Sequence, residues 1–184
     1  MTGLDSRVLL DPDDGSLGPL LRLADDRLSP GSGYGRHAHR AVDVVAVVLD
    51  GSLRHGWADG ARMAAGDVAV LRAGTGLDHD EVAGDAGVRV LQTYLRSARP
   101  DAPPGHEVRR AATGWVDLDR DDARLWIGRP AADEPLEVPA GLLVLADAGG
   151  VRVERQHGGP VRGAAGSTAL VWRLDTIRPA WASG

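Results

Sequence analysis

Two short clusters, His37-Ala38-His39 and His79-Asp80-Glu81, hold the residue types from which a metal site is made. There is no cysteine, so disulfides, thiolate sites and thiol catalysis are excluded, and any metal is held by nitrogen and oxygen. Successive side chains on a β-strand point to opposite faces. His37 and His39 therefore share a face, and so do His79 and Glu81 if Asp80 is extended. Two such pairs on neighbouring strands bring three imidazoles and a carboxylate toward a common point, with metal–ligand bonds of about 2.0–2.2 Å. That set leaves coordination positions open for substrate, water or dioxygen. A His-x-His in the Gly-rich stretch 31–40 is also compatible with a solvated loop, so spacing alone leaves both readings open.

The elements that must position these residues read as short strands. Val42 to Leu49 is a β-branched run too short for a typical helix, and it predicts a strand buried on most of both faces. A turn is expected at Asp50-Gly51, then a strand over Ser52 to Trp57, further turns at Asp59-Gly60 and Ala64 to Asp67, and strands over Val68 to Leu71 and Val88 to Leu95. The polar, Pro-rich piece Ser97 to Gly105 is the best linker, which predicts domains over residues 1–100 and 101–184. Beyond it, Arg124 to Gly128, Leu142 to Leu145, Val151 to Arg155 and Ala169 to Leu174 read as strands, and Asp117 to Arg124 has room for one helical turn. Many short strands at even spacing point to an all-β barrel or sandwich. The five tryptophans, Trp57, Trp115, Trp126, Trp172 and Trp181, are most simply core or subunit-contact residues.

Composition narrows the function classes. The net charge of −5 and the pI near 5.6, with arginines scattered and no basic run, argue against contact with nucleic acid. No run of about 18 apolar residues exists to span a bilayer, and Met1 to Asp14 shows no basic-then-apolar signal pattern, so a cytoplasmic protein without membrane contact is expected.

The stretch Gly31-Ser-Gly-Tyr-Gly-Arg-His-Ala-His-Arg40, followed by the apolar strand and Leu49-Asp50-Gly51, resembles the first cupin motif of the pirin family. Gly66-Asp67-Val68, then Ala73-Gly74-Thr75-Gly76, then His79-Asp80-Glu81 resembles the second, in the same order and register. Leu20 to Arg27 is similar to the pirin entry segment and Leu91 to Leu95 to the strand closing the first barrel, so the resemblance covers about residues 18–97. Ala38 stands where pirins usually have Pro, Asp43 where they have Glu, and Tyr34 where Phe is common. None of these removes a ligand.

The resemblance implies a double-stranded β-helix (cupin) fold: a bicupin with an N-terminal metal-binding domain and a shortened, metal-free C-terminal cupin-like domain. It implies metal ligands at His37, His39, His79 and Glu81, with Glu81 also catalytic, and a buried, hydrogen-bonded role for His55. Asp80, by alternation, should face away from the metal. The cofactor implied is one divalent metal ion, Fe(II) by preference, with Ni, Cu, Zn or Mn as alternatives. The activity implied is that of a quercetin 2,3-dioxygenase, acting on a small aromatic flavonol and dioxygen. The rival reading is a non-catalytic, metal-dependent module that binds a regulatory protein partner.

Overall fold

A computed structural model describes residues 3–12, 14–131 and 134–175. Its strands fall into two compact units, one comprising the described residues up to Ser16 with Leu20–Ala111, the other Leu17–Pro19 with the described residues from Ala112 onward. Among the described residues no helix is long and apolar enough to cross a membrane.

The first unit contains β1 (Leu4–Leu10), β2 (Leu20–Leu28), β3 (His37–His39), β4 (Val42–His55), β5 (Ala61–Ala64), β6 (Val68–Arg72), β7 (Leu77–His79), β8 (Glu81–Arg96) and β9 (Gly105–Arg109). One sheet runs in the order β1-β2-β8-β4-β6-β9, with β5 paired to β4, while β3 and β7 form a ribbon of their own. The apolar run expected to be buried on both faces is so from Asp43 to Val48.

The turn expected at Asp50-Gly51 is instead an irregularity inside one 14-residue strand. The register of β4 against β8 shifts between Val48 and Asp50 and again between Gly51 and Leu53. Gly51 has φ +73°, and a Cβ there would collide with the carbonyl oxygen of Gly87, which sits at φ +79° on β8. Two facing glycines let both strands bend without separating. The shift also exchanges which alternate residues face inward. Ala46 and Val48 before it and Leu53 after it join one core cluster, as do Ala83 before Gly87 and Val88 and Val90 after it.

The first unit also continues past residue 100, where the linker composition places a boundary. β9 pairs with β6 from Val68↔Arg109 to Arg72↔Gly105, and Val108 packs against the same core cluster. Without β9 the outer backbone groups of β6 would lack ladder partners.

The second unit contains β10 (Gly114–Val116), β11 (Ala123–Gly128), β12 (Leu136–Val138), β13 (Gly141–Asp147), β14 (Gly150–Gln156), β15 (Gly159–Val161) and β16 (Thr168–Leu174). Five of these form a sheet in the order β10-β11-β16-β13-β14, and β12 pairs with β15. Val138, Leu143, Leu145, Val161, Ala169 and Val171 make its core, with Trp126 and Leu136 packed against it. The helical turn between Asp117 and Arg124 does not form. The Asp117 carboxylate accepts the Asp119 N–H at 2.8 Å, Asp119 has φ +54°, and Arg120 turns to Asp122, so local side-chain bonds replace the helical ladder. Trp172 is core at 1% exposure and Trp115 lies 46% exposed, whereas Trp181 falls outside the described residues.

Gly51→Val should lower stability by at least about 1 kcal/mol, through both the left-handed φ and the collision with Gly87. A urea midpoint equal to that of the parent chain would contradict the facing-glycine account.

Candidate metal centre

The ribbon of β3 and β7 places His37 directly opposite His79 and His39 opposite Leu77. Alternation then puts His39 on the same face as His37. The three imidazoles meet: ring centroids lie 4.7 Å apart for His37 and His39, 4.4 Å for His37 and His79, and 5.0 Å for His39 and His79. One ring nitrogen from each lies within 4.8 Å of the others. The Gly-rich approach serves this ribbon. A Cβ at Gly33 would run into the Glu81 carbonyl, and the Tyr34 N–H donates to that carbonyl at 3.1 Å. The His37 Nδ1 lies 2.9 Å from the Gly35 carbonyl oxygen, which can only accept, so Nδ1 carries the proton and Nε2 is left with its lone pair.

Glu81 begins β8, one residue beyond the end of β7, and is 2% exposed. It is not grouped with His37 and His39 but forms a second triad with His55 and His79, so His79 belongs to both sets. The His55 Nε2 lies 2.5 Å from Glu81 Oε1, and the Gln92 amide donates to Glu81 Oε2 at 2.8 Å. The Tyr94 hydroxyl in turn donates to the Gln92 carbonyl oxygen at 2.9 Å. Asp80 points elsewhere: its Oδ1 lies 3.3 Å from Arg54 Nη2, at the surface.

Three contributors escaped the sequence reading. Gln92 and Tyr94 read from the sequence only as residues of the strand over Val88 to Leu95, and His106 falls beyond the expected boundary at residue 100. On β9, His106 places its Nε2 3.0 Å from His55 Nδ1. Nothing in its spacing marks it, because the pairing of β9 with β6 is a long-range event.

The electrostatics follow from burial. Burial pushes the Glu81 carboxyl up, but His55 and Gln92 outweigh it and the net shift is downward, so the group stays charged at neutral pH. His79 is pulled down to about 4, chiefly by burial, and His39 is lowered by burial and by neighbouring His37. Neutral imidazoles are the metal-binding form. The residues fit a divalent metal on a further count: His79 is 1% exposed, yet neither of its ring nitrogens has a hydrogen-bond partner. A bound cation supplies the partner that a buried nitrogen otherwise lacks.

A family model described as Pirin matches residues 10–95. Over that stretch the chain is similar to pirins. A provisionally named quercetin 2,3-dioxygenase of Zymomonas mobilis is 36% identical over 88 residues, which is 46% of this chain and 37% of that protein. The quercetin 2,3-dioxygenase of Escherichia coli is 28% identical over 104 residues, 54% of this chain and 45% of that one. The matches thus cover less than half the length of either curated relative. Among solved structures, the bacterial pirin YhhW of E. coli in complex with nickel(II) superposes with a TM-score of 0.72 at 20% identity, covering 95% of this chain and 93% of that one. At that identity the likeness is one of fold, and the fold is the all-β cupin of pirins. The His37, His39, His79 and Glu81 positions all lie inside the stretch that matches the pirin family model.

The buried histidines give the metal-free protein a definite pH response. His79 and His106 are both held down to about 4 by burial, against an unfolded value near 6.5. Between those values the unfolded chain takes up protons that the folded one refuses, so stability is full above about pH 6.5 and falls as pH drops through the window. Thermal melts in chelator should show a lower Tm at pH 5.5 than at pH 7.5, and a shallower fall in His106→Asn. A Tm independent of pH over that range would contradict it.

Proposed function

We propose that this protein is a metal-dependent dioxygenase of the quercetin 2,3-dioxygenase type, with one divalent metal, Fe(II) by preference, held by His37, His39, His79 and Glu81. The observation that carries this reading is the convergence of three imidazoles beside a charged, buried carboxylate, with both His79 nitrogens unpartnered. Imidazole and carboxylate ligands also suit Ni, Cu, Zn and Mn, so the choice among them depends on what the cell supplies. The activity for which the relatives are named points to a flavonol and dioxygen as the co-substrates.

When bound, the metal supplies Lewis acidity that lowers the pKa of a flavonol 3-hydroxyl and redox access to dioxygen. The protein's part is positional. Gly35 fixes the His37 tautomer so that Nε2 faces outward as a donor of its lone pair. His55 and Gln92 hold the Glu81 carboxylate through both oxygens, and Tyr94 holds Gln92. Glu81, kept ionised, is a ligand that loosens to take the substrate's hydroxyl proton in this reading. Val44, Leu71, Ala73 and Leu77 form a buried apolar cluster with Tyr94 packed against it, and the Tyr94 ring lies 5.8 Å from His39. Tyr94, partly exposed where it leaves that cluster, offers an aromatic substrate a ring to pack on.

Elemental analysis of untagged protein should find about one divalent metal per chain, lost in His79→Ala and strongly reduced in Glu81→Ala. The metal-loaded parent chain should consume dioxygen and bleach the absorbance of quercetin, with both variants reduced by 100-fold or more, on the order of 3 kcal/mol in the barrel's transition-state stabilisation. Full metal retention in both variants would sink the ligand assignment. Metal binding with no oxygen uptake, alongside an active pirin that does both, would return the protein to the binding-module reading.

A further inference from the structure

His106 is 51 residues from His55 in sequence, and the pairing of Leu71 with His106 in the β6–β9 ladder brings the two rings together. Glu81, His55 and His106 then form a chain. His55 Nε2 lies 2.5 Å from Glu81 Oε1, and His55 Nδ1 lies 3.0 Å from His106 Nε2. An ionised carboxylate only accepts, so the His55 nitrogen that faces it must carry the hydrogen. In the neutral form of His55 there is a single N–H, and with that hydrogen on Nε2 its Nδ1 is bare and takes a donor. His55 is 1% exposed, so water is not at hand to be that donor. The group that faces Nδ1 is His106.

We infer that His106 is a positioning residue for the metal centre: its Nε2–H fixes the tautomer of His55, and through His55 it fixes the carboxylate of Glu81. The inference rests on the reading that Glu81 belongs to the metal site. With the His106 donor removed, the favoured tautomer of His55 becomes Nδ1–H, and the lone pair of Nε2 is turned against Oε1 of Glu81. The carboxylate then loses one of the two donors that hold it, keeping only the Gln92 amide. Partners of this kind set the orientation and basicity of ligands, and their loss typically weakens metal binding by about 10- to 100-fold.

Two measurements on the full chain test this. The first needs no variant: nitrogen-15 NMR of the imidazoles in metal-free protein should find Nε2–H on both His55 and His106. The second is Ni(II) affinity by chelator competition in the parent chain, in His106→Gln, whose amide retains a donor, and in His106→Phe, which has none. His106→Phe should bind Ni(II) about 10- to 100-fold more weakly and move the His55 proton to Nδ1, while His106→Gln stays close to the parent in both. Finding Nδ1–H on His55 of the parent chain would overturn the inference, as would a His106→Phe chain with unchanged tautomer and unchanged affinity. Should none of the chains bind Ni(II), the metal reading falls, and the tautomer of His55 in the parent chain and in His106→Phe alone decides the role of His106.

Discussion

A carboxylate shut away from water keeps its charge only if donors are brought to it, and the first unit is arranged around meeting that need at Glu81. The donors come from two directions. His55 approaches from β4, and Gln92 from further along β8 itself. Each of them is held in turn, His55 by His106 of β9 and Gln92 by Tyr94 of β8. Three strands of one unit therefore meet at one group, counting β7, which delivers His79, and β9 braces it from behind His55. The same rule governs the buried charge of Asp25, which Arg89 meets with two bonds at 2.8 and 2.9 Å. It also governs Asp26, which takes the hydroxyls of Ser6 and Tyr34 on its two oxygens.

That convergence depends on the irregularity at Gly51 and Gly87. Glu81 and Gln92 are an odd number of residues apart on a single strand, so strict alternation would send them to opposite faces of the sheet. The displaced register between them restores a common face and makes the 2.8 Å bond between their side chains possible. On β4 the same shift lets His55 face inward with Leu53, although Ala46 and Val48 of opposite parity also face inward. A pair of glycines, one packed on the other's carbonyl, thus couples the bend of the long strands to the assembly of the site.

The candidate metal ligands are divided between two kinds of support. His37, His39 and His79 stand on a short two-stranded ribbon, with pairing and the Gly-rich approach fixing their positions. Glu81 stands on the main sheet, with His55 facing one of its oxygens and the Gln92 amide donating to the other. His79 is the hinge between these sets, belonging to both triads, and it is the most buried of the three imidazoles. That burial keeps it neutral, which is the form a cation requires.

The sequence by itself determined the chemistry available and the class of fold. The absence of cysteine confined any metal to nitrogen and oxygen, the two clusters named the ligand candidates, and β-branched runs between glycine turns announced an all-β chain. Those are local properties, carried by residue type and by spacing of one or two residues. Alternation also anticipated that Asp80 would turn away from the site, and it does, toward Arg54. Only the tertiary structure decided which residues support Glu81. Gln92 lies on the wrong parity for a reader of strand alternation, and His106 lies beyond a Pro-rich stretch that reads as a linker. Their roles arise from a register shift between β4 and β8 and from the pairing of β9 with β6, contacts between segments far apart in the chain. Such pairings are chosen by burial and backbone hydrogen bonding across the whole unit, and no short motif records them.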